Sequence, residues 1–191
     1  MSHHNRFRRA TIPVTGLLVL ATALTTAAGC QRTTADPKPA AVTPSANFGG
    51  TDLAWIEITI AMDEQLRPLL ALVPKQSTDP QVQALAKQVQ GFTDTELTQL
   101  RALHDQARLP SENPHEGMTM PGMVSADIVT KAATLTGAAF DTLVRDQIRA
   151  HLKQGRNLAE SEEKAGIEPR VRALASSVIQ TRTQALGSIG E

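Results

Sequence analysis

The chain contains an internal repeat, and this repeat limits its fold more than any other feature of the sequence. A shift of 89 residues places "DPQVQALAKQV" (residues 79–89) over "EPRVRALASSV" (residues 168–178). The same shift pairs Asp52 with Asp141 and Leu97 with Leu186 without a gap. Two copies of a helical hairpin, each with an apolar face to cover, predict an all-α fold in which duplicated hairpins form a four-helix bundle.

Local signals indicate where the helices begin and end. Apolar residues recur at three- and four-residue spacing from Thr51 onward, which is typical of amphipathic helices. Asp79 followed by Pro80 marks a helix start, and Pro68 predicts a kink in the helix before it. We therefore expect helices at about 52–73, 80–109, 137–165 and 169–186, plus a short one capped by Ser125, in a domain spanning residues 51–191.

The first 30 residues have the pattern of an export signal. Three arginines precede the apolar run "GLLVLATALTTAA", which is shorter than the roughly 20 residues of a membrane span. The run ends on Ala28, Gly29 and Cys30, which resembles the lipobox of bacterial lipoproteins, although Ala27 stands where that motif prefers leucine. The resemblance implies a signal peptide (residues 1–30), a lipid on Cys30 and a domain anchored outside the cell membrane. The alternative is a plain secretory signal with an incidental cysteine.

A segment rich in Pro, Thr, Ala and Gly follows the signal. Residues 31–50, "QRTTADPKPAAVTPSANFGG", show neither helical nor alternating apolar spacing, so we interpret them as a flexible tether. A flexible chain of this length reaches about 25 Å, enough to hold the domain clear of a bilayer.

Composition and motifs exclude several functions. Aromatic residues make up 3% of the chain, and the net charge is zero, so nucleic-acid binding by stacking or by a basic face is not expected. The segment "ENPH" (residues 112–115) spells Glu-x-x-His, but it occurs once and contains proline, which rules out a ferritin-type di-iron oxidase. No hydrolase triad, phosphate-binding loop or paired-cysteine motif is present, and we expect no enzymatic activity.

The segment "GMVSADIVTKAATLTGAAFDTLVRDQIRAHLKQGRNLA" is similar to the exported, ferritin-like family known only as domain of unknown function 305. The similarity extends over both repeats, residues 51–189. It implies a ferritin-like bundle and an association with copper or other metals, for which paired histidines are the presumed ligands of the family.

Most of those histidines are replaced in this chain. The pair reads Met62 and Asp63 in the first repeat and His151 and Leu152 in the second, while the glutamate of the partner helix is present only as Glu96. Antiparallel packing places these positions at similar height in the bundle. A residual metal site at His151, Met62, Asp63 and Glu96 is therefore possible, although such a mixed set of ligands does not select one metal.

Each of these residues also has a structural interpretation. His151 continues an apolar stripe with Phe140, Val144 and Ile148, as a hydrogen-bonded core histidine would. Met62 is suited to filling gaps in a core. Glu96 is either solvated at the edge of the bundle or buried, in which case it needs a partner.

The segment "HEGMTMPGM" is a second candidate site. It gathers His115, Met118, Met120 and Met123 within nine residues of an exported chain, and thioether ligands favour Cu(I). The alternative is a flexible loop whose methionines pack against the bundle.

Two functions remain open at this point. The chain is either a cell-envelope lipoprotein that binds copper or another transition metal, or a structural or partner-binding lipoprotein that has lost the ligands of its family. The membrane is the expected partner in both cases, through the lipid on Cys30, and no protein partner is indicated.

Overall fold

The computed structural model describes residues 47–190, where it has five helices and no strand, which confirms the all-α prediction. The signal peptide (residues 1–30), the lipidation site Cys30 and the tether up to residue 46 lie outside the described residues. The helices are α1 (Gly50–Gln76), α2 (Pro80–Ala107), α3 (Ala126–Ala133), α4 (Gly137–Ala165) and α5 (Pro169–Ser188).

The four long helices form a bundle of two hairpins. Helix α1 pairs with α2, and α4 pairs with α5. The hairpins join through contacts between α1 and α4 and between α2 and α5, so that α1 and α5 are diagonal. The short helix α3 packs on α1 and α4, and together with the preceding loop it covers a side of α1 that the other hairpin leaves open.

The two hairpins repeat each other down to their helix caps. Asp79 Oδ1 accepts a hydrogen bond from the backbone N–H of Gln81 (2.7 Å), and Glu168 Oε1 accepts one from Arg170 (3.4 Å). These bonds satisfy donors that a helix start leaves unpaired. The cap predicted at Asp79 is confirmed, and its counterpart in the second hairpin has the same role.

Four helix ends differ from the predicted ones. Helix α1 begins at Gly50 rather than Asp52 because Asp52 lies in the first turn, where its Oδ2 accepts from the Gly49 N–H (2.6 Å). The helix then continues through Pro68 and Pro74 to Gln76. Helix α2 ends at Ala107, two residues early, because Arg108 adopts a left-handed conformation (φ 55°). Helix α5 continues past Leu186 to Ser188.

Two large clusters of apolar side chains lie along the bundle. The first lies toward the α1–α2 turn and includes Leu66, Leu69, Val82, Leu85, Phe140 and Ile148. The second lies toward the α4–α5 turn and includes Trp55, Ile56, Leu97, Leu100, Val171 and Val178. Between them, at mid-height, every long helix contributes a buried polar residue. Within residues 47–190, none of the helices is long and apolar enough to cross a membrane.

Candidate functional site

A layer of four buried polar side chains separates the two apolar clusters. Helices α1, α2, α4 and α5 contribute Asp63, Glu96, His151 and Arg182, and each of these residues is at most 4% exposed. Charged side chains are almost never buried this completely without partners. We will call this set the polar layer.

Arg182 connects the members of the polar layer. Its Nη1 and Nη2 donate to the two carboxylate oxygens of Glu96 at 2.9 and 2.7 Å, a bidentate pair. Nη2 also lies 3.5 Å from Asp63 Oδ1, and that same oxygen lies 3.3 Å from His151 Nε2. Bidentate pairing is the strongest arrangement available to a guanidinium and a carboxylate. The layer is thus a chain from Glu96 through Arg182 and Asp63 to His151.

Phe92 and Gly155 lie next to the guanidinium of Arg182. The ring centroid of Phe92 lies 4.4 Å from Arg182 Cζ, close enough for an attraction between the cation and the aromatic face. On α4, Gly155 faces the side chain of Arg182, and a Cβ at that glycine would lie 3.3 Å from Nε. A larger residue at position 155 would crowd the ion pair.

Burial controls the protonation of Glu96. Removal from water raises the pKa of Glu96 to about 7, with the nearby charge of Asp63 acting in the same direction and Arg182 opposing both. A buried carboxyl favours its neutral form because the charged form loses its hydration. Arg182 opposes this effect of burial because its guanidinium binds both carboxylate oxygens of Glu96.

The structure brings together three of the four residues predicted for a bundle site. Asp63, Glu96 and His151 meet in the polar layer, whereas Met62 packs in a different cluster. Glu96 is buried and has the partner that burial requires. That partner, Arg182, was not predicted from the sequence, although it lies four residues after Val178 and four before Leu186 on the core-facing stripe of α5.

The charge of Arg182 bears on whether the polar layer suits a metal. The carboxylates that would bind a cation already bind the guanidinium. Among residues 47–190, no group of three or more His, Cys, Asp or Glu side chains is arranged to hold a metal ion. The donor set of the layer thus fits a metal poorly, and a metal role for His151, Asp63 and Glu96 stays a prediction.

The methionines form a separate cluster. Met62 of α1 and Met123 of the loop before α3 are buried together with Ala61, and the half-buried Met120 packs against them. Gln65 Nε2 donates to Met123 Sδ at 3.8 Å. We will call Met62, Met120 and Met123 the methionine cluster. It unites one residue of the predicted bundle site with two of the predicted loop site.

The loop that carries these methionines is fixed to the bundle at both ends. Asn113 Nδ2 donates to the carbonyl oxygen of Glu57 on α1 (2.8 Å). Gly122, with φ 83°, passes so close to α4 that a Cβ would lie 2.5 Å from Gln154 Cβ and 2.9 Å from the Ala150 oxygen. Only glycine combines this φ with so close an approach. The loop is therefore held in place from residue 113 to residue 122.

The other predicted loop residues lie nearer the surface. His115 Nδ1 is 3.3 Å from Met118 Sδ, and the Met118 side chain is one of the two large hydrophobic side chains exposed in the described part of the chain, at 44%. His115 lines a 180 Å³ apolar cavity with Ile58 and Leu158, which also pack against the methionine cluster. His115 and Met118 thus form an outer pair beside that cluster.

A second group of buried acids lies where α1 begins. Asp52 is fully buried and accepts hydrogen bonds from the backbone N–H groups of Gly49, Ile167 and Glu168, which tie the start of α1 to the α4–α5 turn. Glu162 is buried beside it, and burial, reinforced by Asp52, raises the pKa of Glu162 to about 8. A carboxyl group next to a carboxylate in a dry site retains its proton.

The domain is expected to lose stability as the pH rises from about 5 to about 9. Folded Glu162 holds a proton that the unfolded chain, with a carboxyl pKa near 4.5, has released, so unfolding is favoured increasingly through this range. Glu162→Gln should flatten the profile and raise stability at pH 9 by about 1–3 kcal/mol, as measured by urea unfolding. The matched control is Glu160→Gln, at an exposed site on the same helix. Equal pH profiles for wild type and Glu162→Gln would contradict this assignment.

The fold and the buried layer define a class of protein, a helical bundle whose two hairpins are joined at mid-height by charged side chains. A family model described as domain of unknown function DUF305 matches residues 53–190. Since the match covers more than half of the chain, the chain belongs to the DUF305 family, as its resemblance to that family predicted.

Two solved structures share the fold. A DUF305 protein from Streptomyces coelicolor, assigned as a secreted protein, has a TM-score of 0.63 and 19% identity, covering 72% of this chain and 88% of that one. A DUF305 fragment from Deinococcus radiodurans has a TM-score of 0.66 and 18% identity, covering 76% and 95%. At this identity the likeness concerns the fold alone. The curated proteins include no match.

Proposed function

We propose that this chain is a cell-envelope lipoprotein that binds Cu(I) through the thioethers of Met62, Met120 and Met123. The observation that carries the proposal is the packing of Met62 of α1 in one cluster with the two loop methionines. Residues 58 positions or more apart in the sequence are thereby gathered into one soft donor set. A loop that only covered α1 would need apolar side chains of sufficient volume. Leucine would provide that volume without a sulfur atom.

The chemistry of the donors favours Cu(I) over other metals. Thioether sulfur is a soft ligand that suits Cu(I), whereas hard divalent cations prefer carboxylate and carbonyl oxygen. The cluster is largely buried and contains no charged group, so a monovalent ion enters it at a lower desolvation cost than a divalent one. The polar layer has the opposite character, because its carboxylates are already neutralised by Arg182.

The outer pair extends the same chemistry to the surface. His115 and the exposed Met118 present an imidazole nitrogen and a thioether sulfur 3.3 Å apart. Beside the methionine cluster, this pair provides a second set of donors suited to copper. We regard the protein as a binding protein rather than an enzyme.

The location of the protein is part of the proposal. The lipobox-like sequence at Cys30 supports export and lipid anchoring, and the assignment of the Streptomyces coelicolor relative as secreted supports export. An oxidising cell exterior also makes thioethers better suited than thiols as copper ligands, because thiols oxidise to disulfides there.

Copper binding should depend on the methionine cluster. We expect the full chain in detergent, carrying Cys30→Ser to remove its only thiol, to bind one Cu(I) in competition with a chromophoric chelator. Replacing Met62, Met120 and Met123 with leucine should weaken binding by about 100-fold, since leucine preserves the packing and removes the ligands.

Two further variants locate the site. Met118→Leu should weaken binding less than the triple replacement, and His151→Gln should leave the affinity unchanged if the polar layer holds no metal. Equal affinity of the wild type and the triple leucine variant would contradict the proposal, as would loss of binding in His151→Gln alone with the fold retained by circular dichroism.

The lipid anchor has its own test. In a bacterial host that processes lipoproteins, Cys30→Ser should move the protein from the membrane fraction to the soluble fraction, because the modified sulfur is removed. Cys30→Ala serves as a second version of the same change. Membrane retention of both variants would contradict lipid anchoring.

The second candidate function is a structural or partner-binding lipoprotein. The polar layer favours it, because its carboxylates pair with Arg182 and the bundle needs no metal to neutralise them. Absence of Cu(I) binding by the wild type, together with cross-linking of the anchored protein to a specific envelope protein, would favour this function over copper binding.

A further inference from the structure

A cavity lies between α1 and the segment that covers it. It has a volume of 420 Å³ and is bounded on the α1 side by Ala61, Glu64, Gln65 and Pro68. These residues are spaced as one face of a helix. The opposite wall comes from the loop and from α3, which contribute Glu116 and Val129 among others.

This cavity borders the methionine cluster. Ala61 lines the cavity and also packs in the same cluster as Met62 and Met123. Gln65 lines the cavity as well, and its Nε2 reaches Met123 Sδ at 3.8 Å. Gln65 therefore borders the cavity and also contacts the sulfur of Met123.

The charge of the cavity lining has one sign. Its ionisable residues are Glu64 and Glu116, and no lysine, arginine or histidine lines it. Glu64 also forms an ion pair with Arg101, in which Arg101 Nη2 lies 2.7 Å from Glu64 Oε1. Carboxylates at the mouth of a cleft with apolar walls raise the local concentration of cations and their rate of entry.

We propose that this cavity is the route by which Cu(I) enters and leaves the methionine cluster, with Glu64 and Glu116 attracting the cation and Gln65 acting as the gate. The inference rests on the proposed Cu(I) site. The transfer is a ligand exchange in which copper leaves its carrier ligands and bonds to thioether sulfur, with no change of oxidation state. The hydrogen bond from Gln65 to Met123 is weak, so the side chain turns aside at little cost.

Stopped-flow kinetics test the route separately from the site. The full chain carrying Cys30→Ser is mixed with Cu(I) supplied as its acetonitrile complex, and release is followed with an excess of chelator. Ala126→Trp, which fills the cavity from α3, should slow uptake and release alike by about tenfold and leave the affinity unchanged. Ala133→Trp is the matched control, because it makes the same change at an exposed site on the same helix outside the cavity lining.

The gate and the charges give effects of different kinds. Gln65→Ala should speed both uptake and release and change the affinity by less than about threefold. Glu64→Gln with Glu116→Gln should slow uptake by about tenfold at low salt and remove most of its salt dependence. The control for the lost charges is Asp146→Asn with Glu160→Gln, both on α4 and outside the cavity lining.

The outcomes separate the two proposals. If the wild type binds no Cu(I), the proposed function fails. If it binds Cu(I) but Ala126→Trp and Ala133→Trp have equal rates, the methionine site stands and the route is wrong. If Ala126→Trp lowers the affinity without changing the uptake rate, the cavity belongs to the site itself, which also overturns its assignment as a route.

Discussion

Replacing Arg182 with methionine is expected to lower the free energy of unfolding by about 3–5 kcal/mol. The substitution keeps an unbranched side chain, although a shorter one, and removes its charge, which leaves Glu96 and Asp63 buried without a cation. An uncompensated buried carboxylate is costly because it has lost its hydration and gained nothing in return. Urea unfolding at pH 8, where both acids would ionise in water, measures the effect.

Three comparisons make this result specific to the polar layer. Arg101→Met removes an ion pair of similar length, 2.7 Å to Glu64, but at an exposed site, and should cost less than about 1 kcal/mol. Arg182→Lys should be intermediate, because an ammonium cannot bind both oxygens of Glu96 in the bidentate manner. Replacing Asp63 and Glu96 with leucine in the Arg182→Met background should recover much of the loss. A cost of Arg182→Met similar to that of Arg101→Met would mean that the layer is hydrated and its charges are screened.

Gly122→Ala should be the most damaging single methyl addition in the loop. The left-handed φ of 83° costs a non-glycine residue about 1–2 kcal/mol, and the approach to α4 adds an overpacking cost of about 1–3 kcal/mol. The new Cβ would overlap Gln154 and the Ala150 carbonyl. Because Met123 follows directly, the variant should also displace the methionine cluster and weaken Cu(I) binding.

Gly117→Ala is the matched control for this prediction. Gly117 has a similar φ of 72°, but nothing lies within 4 Å of a Cβ there. The difference between the two variants in urea unfolding therefore isolates the packing contribution of Gly122. Equal losses of stability would show that the loop moves away from α4 freely and that its glycine serves the turn alone.

The polar layer also shows how the two repeats have diverged. The shift of 89 residues pairs Met62 with His151, Asp63 with Leu152, Thr93 with Arg182 and Glu96 with Ala185. The first hairpin thus supplies the two acids and the second supplies the two bases. Arg182 of the second hairpin neutralises acids of the first, so two different hairpins pair better than two acidic ones, which would bury unpaired carboxylates.

Patterns formed by residues close together in the sequence were sufficient to predict most of the fold. The spacing of apolar residues predicted the helices, and Asp79 with Pro80 predicted the start of α2, because capping acts within four residues. The repeat predicted two equivalent hairpins. The early start of α1 was missed because Asp52 accepts from Gly49 while also binding the α4–α5 turn, 115 residues away.

The candidate sites depended on contacts that local patterns do not contain. Met62, Asp63, Glu96 and His151 were predicted to converge from their height in antiparallel helices. The last three meet in the polar layer, whereas Met62 packs in the methionine cluster. Arg182 was not predicted, since an arginine on an apolar stripe is ordinarily assumed to extend its charge into solvent. Its pairing with Glu96 joins helices from different hairpins, 86 residues apart.

The sequence by itself determined the helices, their caps and their duplication, because these follow from periodicity and from hydrogen bonds within a helical turn. Only the tertiary structure decided that Met62 joins Met120 and Met123 while Asp63, its neighbour, turns to Arg182. Successive residues of a helix point about 100° apart, so adjacent positions face different surroundings. The loop that Gly122 holds against α4 surrounds Met62, and helix α5 of the opposite hairpin provides the partner of Asp63.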